Sequence, residues 1–392
     1  MQSERHRSAF TLKDLLALAA VIGLLLVILL PLLRNDRDVN SRQNGCANKV
    51  KQIGLGLMNY RDVFRCFPAL TSQGNADGSA NVGNTAPGAT FAANSAAPNG
   101  YQQSPASAAG YSWIFMILPY VEETVLYNAA SVASNKFEYE AFSTTGAGGA
   151  PFSVTLNGAS RHFATIELDE VACPSYGGSA ISTASSGTAQ PPVVIPAYAS
   201  LYSVSAGRPS GVAISNYVAL SATHLACMAL GPDDPATTAA EPPNGVIVPG
   251  PGVSLEEITD GSSKTFMLCE TKEPAINSWY DGTVCWTVGA NPSASRAPVR
   301  NGNGYWTVPP GTTGESSLNF GPVKNKSVLF APNGTTPAQT QPVSWGPSSD
   351  HTGGVVLHLA ADASVHVITQ DIDPTLYLQL ITRAGHEPVT LP

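Results

Sequence analysis

The apolar positions fall into blocks of different period. The first, Leu15–Leu33, is an unbroken run of nineteen residues with no charged or amide side chain. At about 1.5 Å per residue a helix of this length spans roughly 28 Å, close to the hydrocarbon thickness of a bilayer. It has no polar stripe at the helical period, so the pattern predicts a membrane-embedded helix rather than a soluble core helix. Arg5 and Arg7 precede the run and Lys13 borders it. This places the first residues on the cytoplasmic side and the rest outside. The run exceeds the apolar stretch of about 7–15 residues in a secretory signal, and no small-x-small site follows it, so the helix should be retained.

The second block is periodic. Cys46, Val50, Ile53, Leu57, Tyr60 and Phe64 recur at alternating spacings of four and three. That is one face of an amphipathic helix, with Asn48, Lys49, Lys51, Gln52, Asn59 and Arg61 off it, and Pro68 ends it. Two readings stand: one long helix from about Leu12 to Phe64, or two helices split by the polar Asn35–Asn44 segment after Pro31. Beyond it the chain turns to short strand-like runs. Tyr111–Leu118 reads as an apolar strand ending at Pro119, with a short helix beginning near Glu122. Phe152–Leu156, Phe163–Leu168 and Val193–Leu201 read as strands, as do Gly354–Leu359 and Ser364–Ile368, paired about a turn. Residues 71–110 and 230–252 are Gly-, Ala- and Pro-rich surface loops.

Composition sharpens this picture. The 392 residues are only 12% charged, with 36 Gly and 31 Pro. This suits a loop-rich, extracytoplasmic β protein. The formal charge is −8, and acidic residues predominate beyond the apolar run, which argues against a nucleic-acid partner. All six cysteines follow the run, and an even count in an oxidising compartment predicts disulfides. Sequence cannot choose among fifteen full connectivities. Cys269 and Cys285, in apolar runs about one hairpin apart, form the best single candidate pair.

Several segments resemble known families. A basic leader followed by Ala9-Phe10-Thr11-Leu12-Lys13-Asp14 and an apolar helix resembles the class III signal of type IV prepilins and type II secretion pseudopilins. The resemblance implies cleavage between Ala9 and Phe10 by a prepilin peptidase and methylation of the new amine. It also implies an assembly role for Asp14. Ala9 stands where those families usually have Gly, Asp14 where they have Glu, and Lys13 where an apolar residue is usual. Cys46-Ala47-Asn48-Lys49-Val50-Lys51-Gln52-Ile53-Gly54-Leu55, with Asn59-Tyr60 and Phe67-Pro68, resembles a block of the DUF1559 or His-x9-Asp-Gly family, planctomycete pseudopilin-like proteins. Further similar segments are Ser112-Trp113 with Leu118-Pro119-Tyr120, Val171-Ala172-Cys173-Pro174-Ser175, Ser215-Asn216-Tyr217, Ile258-Thr259-Asp260-Gly261-Ser262-Ser263 through Glu270, and His351 with Asp362. Ten residues separate His351 from Asp362, where the family has nine, and Ala363 replaces the signature Gly. Ala resists positive φ, which argues against a type I′ turn there. The family's ending implies a short helix within Asp371–Ile381.

Candidate chemistry is sparse. Asp260, Ser262 and Glu270 could form a polar-ligand loop, but too few oxygens are evident for calcium, and a structural Asp-Gly turn is the stronger reading. His351, His358 and His366 fall on different strands, and no Cys/His pair has metal-ligand spacing, so neither a metal nor a cofactor is expected. There is no G-x-S-x-G, no H-E-x-x-H and no dinucleotide fingerprint, and no enzymatic activity is expected. The expected fold is α+β and pilin-like: a long N-terminal transmembrane helix packed on an antiparallel β-rich ectodomain with long loops. The organisation is a leader at 1–9, a membrane helix at 10–34, a helical stalk at 35–68 and the extracytoplasmic domain at 69–392. The expected function is that of a single-pass inner-membrane pilin- or pseudopilin-like structural subunit. Its partners would be the prepilin peptidase, membrane lipid and copies or relatives of itself. The alternative is an anchored, non-assembling module that binds a ligand such as a glycan.

Overall fold

In the computed structural model of the chain, the described residues fall, with short gaps, mainly within 12–70, 111–137, 153–183, 211–227, 241–307 and 346–391. The leader, Ala9 and Phe10 lie outside them, as do nearly all of 71–110 and the run Val193–Leu201. The architecture is α+β. Helix α1 runs without a break over Leu12–Phe64, which decides for one helix over two. It ends with Arg65 at φ 66°, a left-handed residue whose N–H donates to the Arg61 carbonyl.

The core is one five-stranded mixed sheet. Its strands are β1 (Tyr217–Ala222), β2 (Phe266–Glu270), β3 (Trp286–Val288), β4 (Val355–Ala360) and β5 (Val365–Thr369), in the order β5-β4-β2-β1-β3. All neighbours are antiparallel except β1 and β3, which run parallel. Every residue of β1, β2 and β3 is buried, which explains their continuous apolar runs in place of alternation. Helix α4 (Pro374–Gln379) packs near the sheet, capped by the Asp373 carboxylate, which accepts from the Leu376 N–H.

The periodic half of α1 enters this core. Cys46, Val50, Ile53, Leu57 and Tyr60 are each 3% exposed or less. Burying a large apolar side chain contributes roughly 1.5–3 kcal/mol relative to leaving it exposed. Two glycines bring the helix close. A Cβ on Gly54 would lie 3.0 Å from Leu359 and 3.1 Å from Ala363, and one on Gly56 would lie 2.6 Å from Val121. α1 is thus wedged between the β4–β5 hairpin and the turn after Pro119.

Two elements differ from their sequence patterns. Tyr111–Leu118 is not a strand. Ser112 caps a short helix, α2 (Trp113–Ile117), which passes into a 3-10 turn over Leu118–Tyr120. All five residues of α2 are buried. A segment apolar on every side has no period with which to separate a buried helix from a strand. Helix α3 (Thr124–Ala133) follows, close to the position expected. Phe163–Leu168 is likewise not a strand, because a 3-10 turn at Phe163–Thr165, capped by the His162 ring, opens it. By contrast Ser153–Leu156 pairs with Ala159–His162 as a ribbon.

The β4–β5 turn is not type I′, as expected, but Ala363 nonetheless takes a positive φ. The loop is Ala361-Asp362-Ala363, and Ala363 adopts φ 66° despite its methyl group. The Ala363 N–H donates to the Ala360 carbonyl, and the Asp362 carboxylate accepts from the Ser364 N–H. This is the three-residue hairpin loop closed by a left-handed residue, not a type I′ turn. The left-handed conformation costs an L-residue about 1–2 kcal/mol. The Ala363 methyl offsets part of this by filling the space that Gly54 leaves.

Gly54→Leu should therefore destabilise the fold by roughly 1–3 kcal/mol through overpacking. Ala363→Gly in the same chain should recover part of that loss. A urea-denaturation double-mutant cycle checks this, and strictly additive losses would exclude the contact.

Candidate functional site

Among the described residues, one set of sulfur, imidazole and carboxylate side chains gathers where four elements meet. Cys46 comes from the buried face of α1, Cys173 from the turn after Val171, Glu270 from the end of β2, and His351 from the loop before β4. One ligand atom from each lies within 4.8 Å of those of the other three. Cys46 and Cys173 are joined by a disulfide across 127 positions of sequence.

The surrounding backbone explains the convergence. Asn216, just before β1, accepts from the Cys173 N–H at 2.9 Å and donates through its amide to the Thr271 carbonyl at 3.2 Å. Its backbone adds bonds to Val171 and Thr271. One residue therefore pins the cysteine turn to the end of β2. On the helix side the Tyr217 hydroxyl donates to the Cys46 carbonyl at 3.2 Å. Lys49, one turn further along α1, pairs with Asp169 at 2.6 Å.

Glu270 and His351 form a buried pair, with each side chain 2% exposed. His351 Nε2 lies 3.2 Å from Glu270 Oε1, and Oε2 accepts from the Leu357 N–H at 3.1 Å. Burial raises the Glu270 carboxyl above its ordinary range, opposed by the bonds from His351 and Leu357. A small cleft lined by Cys173, Tyr176, Asn216, Glu270, Lys272 and Asp350 opens this region to solvent. Lys272 and Asp350 pair across its rim at 3.0 Å.

The expected pairing of Cys269 with Cys285 is not made. Cys269 is on β2 and Cys285 immediately precedes β3, but β1 lies between those strands, so they are not two arms of one hairpin. Both are buried thiols, and Cys285 donates to the Tyr217 carbonyl at 3.6 Å. The polar-ligand alternative for Asp260, Ser262 and Glu270 is not assembled, and the structural Asp-Gly turn, the stronger reading, is present. Asp260 lies in the turn before β2, and Glu270 is the last residue of β2. Asp260 instead ties down the C-terminal segment, accepting from Thr382 Oγ1 at 3.1 Å and from the N–H groups of Gly385 and His386 at 2.6 Å. Gly261 takes φ 99°, as an Asp-Gly turn requires. Ser262 sits partly exposed in that turn.

The three candidate histidines part company. His358 is fully buried on β4, with Nε2 2.8 Å from the Tyr377 hydroxyl and Nδ1 3.1 Å from the Val356 carbonyl. His366 stands opposite it on β5, beside Ser364 Oγ at 2.8 Å. Only His351 joins the cysteines. Tyr111 and Trp113 are fully buried, with Tyr111 packed against Phe115, Phe137 and Tyr280, so both belong to the core.

Sequence reading missed Cys46, Cys173 and His351 as partners of Glu270. Each sits in a motif block, but no spacing rule links positions so far apart.

A family model described as a protein of unknown function, DUF1559, matches residues 40–375. The chain belongs to that family. No curated protein and no solved structure matches it.

Two outcomes follow from this geometry. Peptide mapping without reductant should recover a Cys46–Cys173 cross-linked pair. Reduction should cost about 2–5 kcal/mol, because the bond closes a long loop, and unchanged stability would contradict a structural role. Burial also pushes His358 down to about 3 from an ordinary 6.5. Between those values the unfolded chain binds more protons than the folded one. The stability present above the unfolded value is therefore lost as pH falls toward the folded one. The slope is about 1.4 kcal/mol per pH unit. Denaturation midpoints at acid pH should show that contribution disappearing in His358→Gln.

Proposed function

We propose that this protein is a membrane-anchored, non-enzymatic structural subunit of pilin or pseudopilin type. The observation that carries the reading is the division of labour along α1. One face of its second half is buried in the domain, while Leu12, Leu16, Leu18, Val21 and Ile22 in its first half are about half exposed or more. Among the described residues no helix is long and apolar enough to cross a membrane, and the side chains of Gly23–Ser41 lie outside that description. The proposed span therefore rests on the uniformly apolar sequence of Leu15–Leu33.

On this reading a prepilin peptidase cuts between Ala9 and Phe10 and the new amine is methylated. The helix stays in the inner membrane, and the β-rich domain is displayed on its outer side. Asp14, on the first turn of α1, would pair with the N-terminal amine of a neighbouring subunit, since a charge beside an apolar segment is costly unless paired.

Mass spectrometry of the mature N-terminus from native membranes tests this. A chain beginning at methylated Phe10 is expected. A Met1 start would overturn prepilin-type processing and favour the anchored ligand-binding module. A start beyond Leu33 would make the helix a removed signal.

A further inference from the structure

We propose that in its dithiol form this protein holds one zinc ion through Cys46, Cys173, His351 and Glu270. The disulfide and the metal site would be alternative states of one locus. This inference is independent of the pilin reading.

The donor set has the right chemistry and number. Two thiolates, an imidazole and a carboxylate form a mixed sulfur, nitrogen and oxygen shell that suits Zn²⁺ in tetrahedral coordination. At the usual bond lengths, tetrahedral ligand atoms lie roughly 3.3–3.8 Å apart. The four atoms already lie within 4.8 Å of one another. Small side-chain rotations therefore suffice, and the four supporting elements need not move. Cys46 is fully buried on α1, whereas Cys173 is half-buried and lines the cleft.

A second observation points to a cation. Glu270 is a carboxyl whose side chain is only 2% exposed where it lines the cleft, and within the cluster it is paired with His351. A buried carboxyl that already accepts from a histidine and a backbone N–H is a preformed oxygen donor. In the dithiol form a divalent cation would be held by it and would neutralise the two thiolates. The outer shell is present as well. The Leu357 N–H fixes Glu270, Asn216 fixes the Cys173 backbone, and the Ser349 hydroxyl accepts from the His351 backbone N–H at 3.2 Å. The cleft lined by Cys173, Glu270 and Asp350 gives an entry path.

The conversion balances. A dithiol reductant attacks Cys173 Sγ, and the intermolecular disulfide resolves within the reductant. Two electrons and two protons pass to the Cys46 and Cys173 sulfurs, and the reductant leaves as its own disulfide. Zn²⁺ then displaces the two thiol protons.

The test uses the full chain in detergent, oxidised and after reduction with a phosphine. Each form is titrated with ZnCl₂ against a chromophoric chelator and counted by elemental analysis. One zinc per chain in the reduced form and none in the oxidised form is expected. Glu270→Gln and His351→Gln should each weaken zinc binding at least about tenfold, and their oxidised forms keep the disulfide as a folding control. Substitution with Co²⁺ should give a tetrahedral spectrum with sulfur-to-cobalt charge transfer. The proposal is overturned if the reduced chain takes up no zinc. It is equally overturned if binding survives both substitutions undiminished, which would assign the metal to other thiols, or if Co²⁺ shows no thiolate band.

Discussion

Everything in this fold depends on seating one very long helix against a small sheet. A helix carries only one narrow stripe into a domain, and here five residues from Cys46 to Tyr60 supply it. Such a stripe holds only if the backbone comes close. Gly54 and Gly56 allow that approach, Ala363 and Val121 fill the space on either flank, and the Cys46–Cys173 bond fixes the register. The sheet, the hairpin and the cysteine turn all present their contacts to the same few turns of α1.

The polar interior follows from this arrangement. Where the helix meets the end of β2, backbone groups of three segments converge without a shared ladder. Asn216 bridges them with its side-chain amide, and Glu270 accepts the Leu357 N–H between the neighbouring strands β2 and β4. Buried polar groups must be paired, so this corner concentrates side chains that an apolar core would not tolerate singly. The resulting cluster of sulfur, imidazole and carboxylate is a product of the packing problem, and its chemistry comes with it.

Much of this architecture was legible in the residues. The period of Cys46 to Tyr60 marked the buried helix face, although Phe64 at its end is 41% exposed; the Asp260-Gly261 turn and the β4 and β5 strands followed from local patterns, and the closing helix from the family resemblance. Local patterns failed where tertiary context decides. Tyr111–Leu118 is apolar all round and carries no period. Ala363 takes a conformation its own chemistry disfavours, in a turn that packs against Gly54, far away in sequence. Cys269 and Cys285 read as neighbours until β1 inserts between their strands. The site was the least legible part, because its members are separated by up to about 300 positions and only the closed fold brings them together.

The cross-link also has a mechanical meaning. At about 1.5 Å per residue, α1 is a rod roughly 80 Å long, rooted at one end in the domain. Tension applied to its free end and borne by any part of the chain beyond Cys173 passes through the sulfur–sulfur bond. Residues 47–172 lie in the closed loop and are bypassed by that load. The helix can be pulled without peeling it from the sheet strand by strand, and the covalent bond rather than the apolar stripe sets the force at which the rod and the domain part.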